Sequence, residues 1–264
     1  EAALELAEGR DALARAVGRH GLARVGALDH DVDLNLDFAL EMTVRDTRDA
    51  WLPAMQAGRK VFGGDASRLS YALNKVKDPR AIEGLAEVIA RGELRGEALS
   101  NAVTTVASLG TGEQVSALLQ KAQDQPDWLP AIGRGVAYNR KEPPLKSRAM
   151  MFLNSEAEAV RIAAASLCGA WKVKEAETLL VKGASGARSV VEALAMSGAL
   201  AEIGAVGRLA ELAGAGKAPL LRAAAVAASA RVDPAAHGVR AAGLLAKLRD
   251  GALARVVVES FLSR

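Results

Sequence analysis

Cysteine is nearly absent from this chain: Cys168 is the only one among 264 residues. That excludes an intrachain disulfide and any multi-cysteine metal cage, and without a CxxCH context it excludes a covalent c-type haem as well. It leaves the redox compartment open. Aromatics are scarce too, at 3% against 50% hydrophobic residues, so the apolar content is mostly Ala, Leu and Val. Runs of Val, Ile, Tyr and Thr that would announce strands are missing. Long uncharged apolar runs are missing as well. The longest alanine-rich stretch, Ala223 to Ala230, is closed by Arg222 and Arg231, well short of the about 18–20 residues a membrane span needs. Charge of one sign does not dominate: 34 basic against 31 acidic residues leave a net +3. That excess is too small to imply a polyanionic partner by itself. The N-terminus "EAALELAEGR" has neither Met nor a signal-type apolar core, which reads as a processed chain or an excised segment.

What is present is helix former. Ala and Leu lose little side-chain freedom in a helix and let helices approach closely, so the expected fold class is all-α. The stretch "SEAEAVRIAAASLCGAWKVKEAETLLVKGAS", residues 155–185, shows the unit. Ser155 and Glu158 fit a capping box. Val160, Ala163, Ala164, Leu167, Cys168 and Trp171 then follow at helical spacing on one face. A second helix presents Ala176, Leu179 and Leu180, and the break at Lys172 to Lys174 permits only an antiparallel hairpin.

The unit recurs. First helices of successive pairs are expected near residues 67, 96, 128, 156, 187, 219 and 252, a period of about 30 residues. Second helices are expected near Pro79, Gly112, Leu145, Ile203 and Ala235. Asp78–Pro79 with Gly92, and Asp233–Pro234 with Gly251, are start and stop signals. "WLPA" occurs at Trp51 to Ala54 and at Trp128 to Ala131, each time read as a tryptophan at a hairpin elbow that opens a helix. Residues 1–28 read as one or two helices broken at Gly18, Gly21 and Gly26, and a longer helix starts at Asp31 or Asp33 with its stripe through Leu36, Ala39, Leu40, Thr43 and Val44. A Gly63–Gly64 turn follows, with Asp65 capping the next helix. Stacked hairpins of this kind predict a right-handed α-solenoid, a HEAT-like or armadillo-like superhelix. The expected organisation is one repeat domain over residues 1–264: atypical N-terminal capping helices at 1–64, repeats at 65–125, an irregular bend at 126–148 where Pro126, Pro130, Pro143 and Pro144 cluster, and repeats at 149–264.

Pairs such as "AVRIAAASLCGAWKVKEAETLLV" and "DPRAIEGLAEVIARG" resemble HEAT repeats of the short bacterial form. The segment "DLNLDFALEMTVRDTRDAWLPAMQAGRKVFGGDASRLSYALNKV" resembles the HEAT segment of large multidomain proteins of planctomycete and verrucomicrobial type, in which it lies between a dehydrogenase-like β-propeller and a c-type cytochrome. That resemblance covers roughly residues 30–120. It implies a segment of a larger exported or periplasmic redox protein, whose dehydrogenase-like and cytochrome modules have no counterpart in these residues.

Candidate sites are few. Asp29, His30, Asp31, Asp33 and Asp37 form a ligand-like cluster, but a calcium loop would want Gly and Glu where Leu34 and Leu40 stand, and zinc would want a second histidine at helical spacing. Helix capping is the simpler role. Cys168 falls on an apolar face, which suits a buried, inert thiol. His20 and His237 are isolated from any nucleophile motif. "LGTGEQ" and "GAGKAP" miss the phosphate-loop pattern and have no preceding strand. The best surface candidate is basic with interleaved aromatics: Trp128, Arg134, Tyr138, Arg140, Lys141, Lys146 and Arg148. The function expected is therefore a non-catalytic scaffold or protein-interaction module with a protein partner, in another chain or a neighbouring domain. It calls for no catalytic residue, metal or cofactor and assigns no small-molecule ligand. A nucleic-acid-binding solenoid is disfavoured by the small net charge. A HEAT-like enzyme, such as a lyase or hydroxylase, would need convergent carboxylates or histidines that the sequence does not display.

Overall fold

The computed structural model describes residues 30–57, 59–76, 78–138 and 141–262. Among them every regular element is helical, with no strand. Among the described residues no helix is long and apolar enough to cross a membrane. The chain divides into two compact units, Glu1–Gly110 and Thr111–Arg264. The helices expected over residues 1–28 lie outside the described residues, as do His20, Asp29 and Arg140.

In the first unit, α1 (His30–Asp46), α3 (Ala66–Val76) and α5 (Gly96–Leu109) pack in succession, while α2 (Arg48–Gln56) packs on α4 (Pro79–Arg91). The alternation follows from short connections, which return each helix against its predecessor. Leu52, Leu73, Leu85, Val103 and Val106 fill the space between them. Local chemistry sets the boundaries. Asp78 accepts the Arg80 N–H at 2.9 Å with Pro79 at the first helical position, and Gly92 closes the helix at φ 70°, as the start and stop signals predicted. The Phe62–Gly64 turn has both glycines at positive φ, and Asp65 accepts the Arg68 N–H at 3.1 Å.

Two expectations need correction here. "WLPA" does not open α2: the helix begins at Arg48 and carries Pro53 inside. Proline forfeits a bond to the carbonyl of Asp49, and Asp49 is an exposed residue. Trp51 nonetheless sits at an elbow, buried, donating its indole N–H to the Val44 carbonyl at 3.1 Å and packing edge-on against Phe62. On α1, Val44 is buried and Leu40 and Thr43 half-buried as expected, but Ala39 is exposed.

The second unit comprises α6 (Gly112–Ala122), α7 (Leu129–Tyr138), α8 (Glu158–Ala170), α9 (Glu177–Gly186), α10 (Val190–Glu202), α11 (Val206–Leu212), α12 (Pro219–Val232), α13 (Pro234–Leu245) and α14 (Gly251–Leu262). Helices α7, α8, α10, α12 and α14 pack each on the next. Helices α9, α11 and α13 pack beside them, and α9 also touches α11. Helix α12 is enclosed by four neighbours, and its residues Ala223 to Ala230 are all buried. Only side chains this small let so many helices approach one another.

Three expected boundaries shift in this unit. Ser155 and Glu158 form no capping box. The Ser155 hydroxyl takes the Ala157 N–H, and Glu158 instead accepts the hydroxyl of Ser189, the N-cap of α10. The helix expected from Leu145 is a 3-10 helix, Lys146–Asn154, burying Ala149, Phe152 and Leu153. Gly251 does not terminate α13. That helix stops at Leu245, and Asp250 caps α14 by accepting the Ala252 N–H at 2.8 Å.

Candidate interaction surface

The basic and aromatic segment lies in the second unit, built on α7 and the connection that follows. Thr111 and Gln114 form a reciprocal capping box that starts α6, with bonds of 3.3 and 2.8 Å. After α6 the chain turns through a short 3-10 helix, Pro126–Trp128, and α7 then buries Leu129, Ala131, Ile132, Gly135 and Val136. That leaves Arg134 and Tyr138, one helical turn apart, on the exposed side. Tyr138 is 87% exposed, unusual for a large aromatic ring. Trp128 is half-buried.

The connection after α7 is anchored on α6: the Leu145 N–H donates to the Ser116 hydroxyl at 3.3 Å, and Pro143 is buried. Gly112 permits this approach, since a Cβ there would stand 3.2 Å from the Glu142 carbonyl oxygen. Within the connection Lys141 is exposed and Arg148 half-buried. Lys146 is committed to the fold: its Nζ donates to the Glu142 carboxylate at 2.7 Å and to the Trp171 carbonyl at 3.2 Å. Of the seven residues singled out, Arg134, Tyr138 and Lys141 therefore face solvent. Trp128, Lys146 and Arg148 are partly covered, and Arg140 lies outside the described residues.

The acidic cluster takes a structural role where it is described. His30, Asp31 and Asp33 fall on the first turn of α1. Asp37 accepts Tyr71 Oη and Lys75 Nζ, each at 2.7 Å, and Lys75 also reaches Glu41 at 3.2 Å. Burial works against the Asp37 charge, but the bonds from Lys75 and Tyr71 outweigh it and hold its carboxyl below the usual range. Among the described residues no group of three or more His, Cys, Asp or Glu is placed to hold a metal ion. Cys168 is fully buried, and that burial pushes its thiol up to about 12, which keeps it protonated and unreactive. His237 is half-buried on α13.

Two features escaped the sequence. One is a partly buried ion pair: Arg161 on α8 donates to the buried Glu192 on α10, whose carboxylate also accepts the Arg188 backbone N–H. The residues lie 31 apart, and only an alignment of one hairpin on the next would have paired them. The other is an open groove of about 360 Å³ where α10, α12 and α14 pass one another, lined by Leu194, Arg231, Val256, Glu259 and Leu262. A comparison with protein-family models, curated proteins and solved structures finds no match for the chain.

Proposed function

We propose that the chain is a non-catalytic repeat scaffold, a HEAT-like right-handed solenoid within each unit, whose outer faces hold a protein partner. One observation carries this reading: in the second unit, contacts between neighbouring hairpins recur at a constant offset. Glu158 meets Ser189, Arg161 meets Glu192 and Glu177 meets Arg208, each 31 residues apart. At Gly133 and Gly169 an added Cβ would lie 3.5 and 3.0 Å from Ala163 and Ala199, each 30 residues on. A translational offset of that kind belongs to an array in which each unit touches the next, and open arrays present long surfaces rather than enclosed pockets. The likeness of the front segment to HEAT segments of exported redox proteins adds that the partner includes modules flanking it in a longer polypeptide. The exposed Tyr138 with Arg134 is a contact point of this scaffold.

The architecture is tested by inserting a second copy of residues 158–189 after Ser189. An open array accepts the extra unit and unfolds cooperatively with more helix by circular dichroism, whereas a closed bundle loses its cooperative transition. The partner is tested by a photo-crosslinking side chain at Tyr138 in the source cells. Crosslinks to protein, in the same polypeptide or another, uphold the reading. Crosslinks confined to nucleic acid, with affinity falling steeply as salt rises, overturn it in favour of a nucleic-acid-binding solenoid.

A further inference from the structure

We draw no further inference here: the strongest candidate, the exposed apolar stripe of Ala235, Val239 and Ala242 along α13, is an unpartnered helix face of mostly small residues, and nothing in the structure shows what covers it.

Discussion

Lys172 and Gly204 occupy the same place in successive hairpins. After α8 the Lys172 N–H bonds to the Gly169 carbonyl and the Val173 N–H to Cys168, both at 2.9 Å; after α10 the Gly204 N–H bonds to Ala201 and the Ala205 N–H to Leu200. This is the helix stop that requires a left-handed residue, and both comply, at φ 50° and 82°. Lysine pays a steric cost there that glycine does not. Lys172→Gly is expected to stabilise the chain by up to about 1 kcal/mol, and Gly204→Ala to destabilise it by about 1 kcal/mol, measured by urea denaturation. The Arg161–Glu192 pair makes a second prediction. The bond from Arg161, then that of the Arg188 N–H, outweighs burial and holds the Glu192 carboxyl below the usual range. Its contribution is thus complete above the unfolded glutamate value of about 4.3 and fades as pH falls through the lower folded value. Glu192→Gln should cost about 2 kcal/mol at neutral pH and lose less stability than the parent between neutral and acid conditions. An unchanged acid limb would remove Glu192 from that account.

At the scale of the element, α12 shows what a helix of small residues is for. It is packed against α10, α11, α13 and α14, and Ala227 and Ala228 are buried there, 0% and 2% exposed. Ala227→Leu is expected to cost about 1–3 kcal/mol through overpacking, whereas Ala242→Leu on the exposed side of α13 should stay within about 0.5 kcal/mol; paired thermal melts distinguish them. Elements like α12, α4 and α8 were legible in the sequence because their signals are local: periodic apolar positions, Asp–Pro starts, a glycine at the stop. The 3-10 segment Lys146–Asn154 was not. The side chains it buries, Ala149, Phe152 and Leu153, fit an α-helical stripe equally well. The surface candidates were legible only as composition. Nothing near Lys146 in the chain announces that its ammonium will bind the carbonyl of Trp171, 25 residues away. The groove draws its walls from positions 194, 231, 256, 259 and 262, which become neighbours only when three helices have packed.

At the scale of the whole chain, the division at Gly110 and Thr111 separates two sets of core residues. Residues 111–264 contain a core of their own: Leu119, Leu129, Ile132, Leu167, Trp171, Leu180, Met196 and Leu200 are each under 2% exposed. The segment also begins with its own start signal, the Thr111–Gln114 capping box. At this length a chain buries roughly two-thirds of the surface its unfolded form exposes, enough to support independent folding. Residues 111–264 expressed alone should therefore be helical and unfold in a single cooperative step. Trp171, fully buried between α8 and its neighbours, is the reporter once Trp128, half-buried in the same segment, is replaced by Phe. Its emission should be blue-shifted in buffer and move red across the same urea range in which helical circular dichroism is lost. Red-shifted emission in buffer, or two probes that disagree in midpoint, would mean that this core does not close without the residues that precede it.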